Sequence, residues 1–280
     1  MHILYSGTLY GYLEPCGCKE GRVGGVARLA AAFRDSLHRW HEHALILEAG
    51  DFAEVYTLGD SLKNRVLLQA FSEMDYHAVN ITAQDLIIGR ETLTWARDSL
   101  KLPLISANLV DKSSGGSFLP GWRLIRVKQH VFGILGVGAV RPLELRRSRE
   151  STFEFTDPET AVRTAITAMK PKCDRIILLT DLPARSSRRI AVQNPEIDLI
   201  LSTMELEPQG NLPRFGRALT AGTSRKGRAL TTIGLVMNEP EDTVSAYFTR
   251  TLLDSSFKDD PDIARLLGNY HHYREKNGLK

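Results

Sequence analysis

The feature that most constrains the fold is a regular alternation of aliphatic runs with amphipathic segments. Runs such as "ALILEAGDF" (44–52), "DRIILLTD" (174–181) and "EIDLILST" (196–203) are continuously apolar before they end in polar residues, which is typical of strands inside parallel sheets. Between such runs, "GGVARLAAAFRDSLHRW" (24–40) repeats apolar residues every three or four positions, as an amphipathic helix does. This alternation predicts an α/β fold with helices packed on buried sheets.

The same patterns predict the remaining elements. Further helices are expected over 61–74, 90–101 and 157–170, the last with an Asp cap followed by Pro. Strands are expected over 2–7, 77–82 and 103–110, a hairpin over 121–139, late antiparallel strands over 217–237 and 243–253, and a capped helix over 259–278. The short basic cluster "RSSRR" (185–189) is typical of solvated loop charges. We expect one domain over 1–255 and a helical tail over 256–280.

Composition serves mainly to exclude classes of protein. The 280 residues are 42% hydrophobic and 25% charged, as in ordinary globular proteins. The formal net charge of +3 is too small to favour a nucleic-acid partner. No apolar run reaches the roughly 18 residues of a membrane helix, so no membrane span is expected. The first residues show no basic segment followed by a long apolar stretch, so no export signal is visible.

A glycine-rich segment after the first strand, "GYLEPCGCKEGRVGG" (11–25), contains two of the three cysteines, Cys16 and Cys18. Their thiolates would suit a soft metal, or the pair could cycle between dithiol and disulfide. Zinc usually takes four protein ligands, and a disulfide between residues two apart closes a strained ring. The alternative is that both cysteines only shape a tight loop, and the sequence leaves these interpretations open.

The segments "GGVARLA", "AGDF", "MDYHAVNI", "PLISANLV" and "DLIL" resemble the framework of a known family. They are similar to the 5′-nucleotidase branch of the calcineurin-like metallophosphoesterases, over residues 2–240. The resemblance implies a four-layer αββα sandwich of two mixed sheets flanked by helices. It also implies two metal ions that activate a water and clamp phosphoryl oxygens. The Cys-Gly-Cys loop resembles that of a sub-branch often fused to multihaem cytochromes in exported bacterial proteins.

Most positions that would carry this family's metal ligands hold other residues. The family's Asp-x-His motif after the first strand is represented by Thr8 and Tyr10. Its Asn-His pair falls in "TAQD" (82–85), which contains neither residue. Asp51 in "AGDF" matches the bridging Asp of the family.

The later ligand positions are also changed. Asp181 stands where the family places a His after the "IILLT" strand, and a carboxylate there could still ligate a hard metal. The family's Gly-His-x-His motif is replaced by "TMEL" (203–206). None of the eight histidines falls on a ligand position. The resemblance therefore implies a retained scaffold without the ordinary dinuclear centre.

We interpret the chain as a metallophosphoesterase-like pseudoenzyme that binds a ligand or a partner, and we expect no cofactor. One alternative is an active phosphoester hydrolase with a rewired site for Mn, Zn or Fe, and another is a thiol redox module using Cys16 and Cys18. The rewired site would use Asp51, Gln84, Asp85 and Asp181. The other residues predicted to line the pocket are Thr8, Tyr10, Asn80, Asn108 and Met204.

The resemblance also implies expectations about partners and location. A small phosphorylated ligand and a redox or cytochrome partner are both expected on this basis. It implies a periplasmic or extracellular location, and a cytoplasmic location is the alternative because the chain shows no export signal.

Overall fold

A computed structural model describes residues 1–18, 21–40, 43–54, 61–140, 152–205, 211–238 and 243–279. The helices are α1 (Val26–Trp40), α2 (Ser61–Ser72), α3 (Gly89–Asp98), α4 (Pro158–Met169), α5 (Ala184–Gln193) and α6 (Pro261–Lys276). The strands are β1 (His2–Ser6), β2 (Cys16–Cys18), β3 (Gly21–Val23), β4 (Ala44–Glu48), β5 (Ala78–Asn80), β6 (Leu104–Ile105), β7 (Leu109–Asp111), β8 (Trp122–Val127), β9 (His130–Val137), β10 (Phe153–Phe155), β11 (Arg175–Thr180), β12 (Ile197–Ser202), β13 (Arg214–Phe215), β14 (Ala218–Gly222), β15 (Ala229–Asn238) and β16 (Thr243–Leu252).

The strands form two large sheets of six strands each. The first sheet has the order β16-β15-β1-β4-β5-β6, and the second has the order β13-β14-β12-β11-β9-β8. Strands β1, β4, β5 and β6 run parallel, and β15 joins β1 in the antiparallel sense. In the second sheet β14, β12, β11 and β9 are parallel, with antiparallel strands at both edges. Both sheets are therefore mixed.

Side-chain alternation along the strands separates the layers. Ile3 and Tyr5 of β1 belong to a core shared with Ile177 and Leu179 of β11, so this core lies between the two sheets. Leu4, between them in β1, belongs instead to the core formed with helices α1, α2, α3 and α6. A third core packs α4 and α5 on the other face of the second sheet. The predicted four-layer αββα sandwich is confirmed.

Three sequence interpretations need correction. "PLISANLV" is not one strand, because β6 joins the first sheet and β7 pairs with β10 in a separate ribbon. The "RSSRR" cluster lies in helix α5, where Ser187 and Ile190 are buried while the arginines point to solvent. Part of the predicted loop around Cys16 is the ribbon of β2 and β3.

The C-terminal helix α6 packs against the rest of the fold. Its N-cap is Asp260, whose carboxylate accepts hydrogen bonds from the N–H groups of Asp262 and Ile263. Ile263 and Tyr270 are buried in the same core as α1. No helix among the described residues combines the length and the apolar character needed to cross a bilayer.

Candidate functional site

The site of interest lies where the carboxyl ends of the parallel strands meet, since loops at this edge carry function in open α/β sheets. Polar contacts join the two sheets here. Thr8, after β1, lies 2.8 Å from the hydroxyl of Thr223, which follows β14. Asn80, at the end of β5, donates to the carbonyl of Val137 at the end of β9. Residues from both sheets therefore form one continuous edge.

The loop after β1 is bound along its length to the loop after β4. Thr8 and Tyr10 donate backbone N–H bonds to the carbonyls of Gly50 and Asp51, at 2.8 and 3.2 Å. Thr8, Tyr10 and Asp51 all adopt left-handed backbone conformations, with φ of 54°, 51° and 57°. Such conformations cost non-glycine residues about 1–2 kcal/mol each, most of all a β-branched residue such as Thr. Three of them together show that the surrounding contacts impose this loop geometry.

The Asp85 carboxylate holds the loop after β4 in place by accepting hydrogen bonds from its backbone. One carboxylate oxygen accepts from the N–H groups of Phe52 and Ala53, at 2.9 and 3.0 Å. The other accepts from the N–H groups of Asp51 and Thr82, at 3.1 and 3.0 Å. The side chain is fully buried. Successive N–H groups of this kind form an anion-binding nest, and here the anion is the protein's own carboxylate.

A single hydroxyl connects two carboxyl groups in this region. Thr82 Oγ1 lies 2.7 Å from Asp51 Oδ1 and 2.8 Å from Asp85 Oδ2. Asp51 and Asp85 are both buried. Burial raises the pKa of Asp85 to about 7, and the negative charge of Asp51 adds to this increase, while hydrogen bonds from Ala53 and Thr82 oppose it.

A third carboxyl group, Glu48, lies at the end of β4 and completes what we call the carboxyl cluster (Glu48, Asp51 and Asp85). It is fully buried and accepts from the hydroxyl of Ser6 at 2.5 Å and from the N–H of Gly50 at 3.1 Å. The Ser6 hydroxyl is also 2.6 Å from the hydroxyl of Tyr76. Burial is the main cause that raises the pKa of Glu48 to about 8.

The second sheet contributes a different arrangement, centred on the segment 137–139 at the end of β9. The Asn80 amide donates to the carbonyl of Val137, the first residue of this segment. Asn108 donates to the carbonyl of the second residue at 2.7 Å and accepts from the N–H of the same residue at 2.9 Å. Asp181 accepts from the N–H of the third residue at 2.6 Å. Three residues predicted to line the pocket therefore hold one backbone segment in place.

The remaining predicted residues lie at the rim. Gln84 is partly exposed and donates to the carbonyls of Asp51 and Ala53, at 3.4 and 3.2 Å. Tyr10 is partly exposed, and its N–H reaches the same Asp51 carbonyl. Met204, after β12, is 36% exposed. Leu206, at the last position of the family's histidine motif, lies outside the described residues.

These residues do not fit a dinuclear metal centre. Both oxygens of Asp85 face backbone N–H donors, and Gln84 directs its amide N–H groups toward carbonyl oxygens. The Asp181 carboxylate accepts a backbone hydrogen bond. In the described part of the chain, no group of three or more His, Cys, Asp or Glu side chains is arranged to hold a metal ion. Metals of this fold require several hard donors around each ion.

The Cys-Gly-Cys segment lies in the β2–β3 ribbon, where Cys16 pairs with Val23 and Cys18 pairs with Gly21. An extended strand spaces Cα atoms two residues apart by about 6.6 Å, near the upper end of the range for disulfides. Cys16 is partly buried, and the Cys18 side chain lies outside the described part of the structure. Just before the ribbon, Glu14 contacts His271 of α6 at 2.7 Å.

Sequence reasoning does not identify Glu48, Ser6, Tyr76 or the role of Thr82. One signal was present, because Glu48 is the only charged residue in the apolar strand β4. A carboxyl group in a strand that is buried on both faces requires hydrogen-bond partners, and these are supplied by Ser6 and Gly50.

Solved structures with the same architecture are phosphoesterases and related hydrolases. The sulfate thiohydrolase SoxB of Thermus thermophilus matches with a TM-score of 0.84 and 18% identity, over 98% of this chain and 61% of that chain. A 5′-nucleotidase precursor, also from Thermus thermophilus, matches with a TM-score of 0.82 and 17% identity, over 99% and 59%. The calcineurin-like phosphoesterase YfkN of Bacillus subtilis matches with a TM-score of 0.79 and 14% identity, over 100% and 99%.

The chain thus has the metallophosphoesterase fold of 5′-nucleotidase-type proteins. It spans about three-fifths of the length of SoxB and of the nucleotidase precursor, and nearly all of the YfkN chain. No protein-family model matches the sequence, and no curated protein matches it either. At these identities the likeness establishes the fold, and activity has to be argued from the site.

Proposed function

We propose that this domain is a non-hydrolytic member of the metallophosphoesterase fold that binds a ligand or a partner at the carboxyl-end edge. One observation carries the proposal. The Asp85 carboxylate, in the loop where the fold's metal ligands are expected, is turned onto the N–H groups of Asp51, Phe52, Ala53 and Thr82. A carboxylate engaged in this way stabilises the loop and has little capacity left for a metal.

Loss of metal ligands has a direct chemical consequence for hydrolysis. Two-metal hydrolysis depends on positive charge to lower the pKa of the attacking water and to stabilise the phosphoryl oxygens. Preorganised charge of this kind supplies several kcal/mol of transition-state stabilisation. Thr8, Tyr10 and Met204 cannot replace Asp and His in that role, because their neutral side chains are weak ligands for hard metal ions.

The expected ligand is small and anionic. Structures of the same fold include a protein named NAD nucleotidase and another named sulfate thiohydrolase, which favours phosphorylated or sulfated compounds for this chain also. The rim offers the partly exposed Tyr10, Gln84 and Met204 as contacts. Lys226 supplies a positive charge beside the loop after β1, with its Nζ 4.3 Å from the ring centre of Tyr12.

The resemblance of the Cys-Gly-Cys segment to cytochrome-associated proteins extends the proposal. A redox protein such as a cytochrome is the proposed macromolecular partner, and a periplasmic or extracellular location follows from the same resemblance. Titration of Cys16 and Cys18 with and without reductant tests a thiol role. Replacing both residues with Ser should leave ligand binding unchanged if they only shape the ribbon. Loss of binding or of a redox response in that folded double variant would favour the thiol redox module instead.

The test of the main proposal combines metal analysis with an assay. The purified chain, supplied with Mn²⁺ or Zn²⁺, should retain no stoichiometric metal after gel filtration. It should hydrolyse neither a nucleoside 5′-monophosphate nor p-nitrophenyl phosphate above background. Isothermal titration with the same nucleotide in the absence of metal should detect binding that Gln84→Ala weakens.

A pair of variants tests for the opposite result, a metal-dependent hydrolase. Turnover that is lost in Asp51→Asn and kept in Asp98→Asn would contradict the proposal and establish a rewired metal-dependent hydrolase. Asp98 is a matched control because it is an exposed carboxylate at the end of α3, paired with Arg97.

A further inference from the structure

We infer that a groove on the outer face of the first sheet is a binding site for a neutral sugar. This groove, which we call the outer groove, lies between helix α1 and the strands β15 and β16. The residues that line it are separate from those of the carboxyl-end edge. The inference therefore does not depend on the proposed function.

The outer groove is formed where the helix stops covering the sheet. Leu4 of β1 and Leu230 of β15 pack in the core shared with α1, whereas β16 lies beyond them as the edge strand of the sheet. Alternate residues of a strand point to the same face, so Tyr247, Thr249 and Thr251 of β16 all line the groove. Its volume is about 320 Å³, which is near the lower end of the range for small-molecule sites.

Four hydroxyl groups in the outer groove have no hydrogen-bond partner within the described part of the chain. They belong to Ser36 of α1, Thr232 of β15, and Thr249 and Thr251 of β16. Ser36 and Thr232 are only 9% and 7% exposed. Nearly buried hydroxyls without partners are unfavourable, so a ligand that supplies hydrogen-bonding groups at this place is favoured.

Aromatic rings give the outer groove a fixed wall. The Tyr247 ring lies over Gly234 on the neighbouring strand, so closely that a methyl group added at Gly234 would overlap the ring. The Tyr247 hydroxyl is 3.2 Å from Nδ1 of His2, and the His2 ring stacks on Trp40 with ring centres 3.9 Å apart. Each ring is therefore held by the next one before a ligand arrives. A site ordered in advance loses less entropy on binding.

Two charged residues of the outer groove favour an uncharged ligand. Asp35 and Arg39 are exposed on α1, about one helical turn apart, and neither has an ion-pair partner in the described ranges. The Asp35 carboxylate repels anions and accepts hydrogen bonds, whereas the Arg39 guanidinium repels cations and only donates. A neutral ligand that both donates and accepts is suited to both groups.

A sugar combines the properties that the outer groove requires. Its hydroxyl groups donate and accept, as the four hydroxyls of the groove and the two charged groups need. Its ring faces carry C–H groups, which pack on aromatic side chains such as Trp40 and Phe257 because the face of an aromatic ring is weakly negative. A phosphorylated compound would instead bring negative charge towards Asp35.

Amide NMR of the isotope-labelled full chain tests the assignment, with glucose, galactose, mannose and N-acetylglucosamine as probes. At least one of these sugars should shift the signals of Thr232 and Thr249 until they saturate, while the signal of Gln84 at the carboxyl-end edge stays unchanged. Inorganic phosphate should leave the groove signals unchanged. The absence of a saturable shift with all four sugars, or a shift with phosphate instead, would overturn the assignment.

Three variants at exposed positions connect binding to the outer groove. Thr249→Val keeps the side-chain shape but removes a hydroxyl, and it should weaken the affinity for the bound sugar about three- to tenfold. Arg39→Ala removes a charged donor and should weaken it about tenfold or more. Ser245→Ala should bind as the wild type does, because Ser245 lies on the same face of β16 but outside the groove lining. Unchanged affinity in Thr249→Val and Arg39→Ala alike, or an equal loss in Ser245→Ala, would overturn the assignment.

Discussion

Each half of the carboxyl-end edge holds a backbone segment in place through side-chain hydrogen bonds, and the two halves use different chemical groups to do so. On the first sheet, the backbone N–H groups of the loop after β4 are satisfied by the buried carboxylate of Asp85. On the second sheet, the segment 137–139 is held mainly by the amides of Asn80 and Asn108. The amides carry no charge. The carboxyl cluster gains stronger hydrogen bonds but becomes sensitive to pH.

This difference concerns how each half of the edge surrounds its carboxyl groups. A dinuclear centre would neutralise buried carboxylates with cations. On the first sheet of this chain, backbone N–H groups and hydroxyls surround the buried carboxyl groups. On the second sheet, the Asp181 carboxylate accepts a hydrogen bond from the backbone N–H of Ala139.

The largest effect is expected from Asp85→Asn, which tests the charged half directly. An amide offers one acceptor oxygen, and its NH₂ group faces N–H donors, so at least two backbone groups lose their partner. The free energy of unfolding should fall by about 3–5 kcal/mol at pH 7, as is typical when a buried charged acceptor is removed. Urea denaturation measures this loss. A loss no greater than that in Asp98→Asn would mean that the nest does not stabilise the loop.

Asn108→Ala tests the uncharged half. It removes both hydrogen bonds to Gly138 and one to the carbonyl of Thr156. We expect a decrease of about 2–3 kcal/mol, because the Gly138 groups stay buried without their partner. The decrease should be the same at pH 5 and at pH 8, since no titrating group is involved. A strong dependence on pH would remove the distinction between the two halves.

Gly136→Ala tests how closely the sheets approach beside this segment. An added methyl group at Gly136 would lie 2.5 Å from Asn80 Oδ1 and 2.8 Å from Ile105 Cγ1. Both side chains are fully buried, so overpacking should cost about 1–3 kcal/mol. Thermal unfolding should show a lower Tm. An unchanged Tm would indicate that Asn80 can move away without weakening the contact between the sheets.

Gly268→Ala should have the smallest effect on stability, and it should stabilise the protein where the other substitutions destabilise it. Gly268 lies inside helix α6, and apart from its chain neighbours and the nearby helix backbone no described atom lies within 4 Å of an added methyl group. Alanine is a better helix former than glycine by about 1 kcal/mol, so the variant should be slightly more stable. It serves as the matched control for Gly136→Ala, and destabilisation there would contradict the described packing of α6.

Sequence patterns predict much of this fold because long aliphatic runs bounded by polar residues define strands well. The strands predicted over 174–181 and 196–203 match β11 and β12, each of which is one residue shorter at both ends. Helix α5 is not revealed, because its buried face contains Ser187, Ile190 and Ala191 and only one of these is strongly apolar. The split between β6 and β7 is not revealed either, since hydrophobicity does not state which sheet a strand joins.

The site is less predictable than the fold for a physical reason. That Asp51, Gln84 and Asp85 lie together follows from the meeting of parallel strand ends at one edge. What Asp85 binds does not follow, because its partners are backbone N–H groups that no side-chain pattern encodes. The burial of Glu48 beside Ser6 likewise depends on the register between β1 and β4, where these two residues pair.

The left-handed residues of the edge also have a meaning for protein engineering. Thr8, Tyr10 and Asp51 adopt left-handed backbone angles that the contacts of the edge impose. Such a backbone is a ready template, in which new side chains can be grafted at positions 8 and 10 without remodelling the main chain. Asp85 would be the main obstacle to such a design, because its carboxylate would have to give up its backbone hydrogen bonds to contact the new side chains.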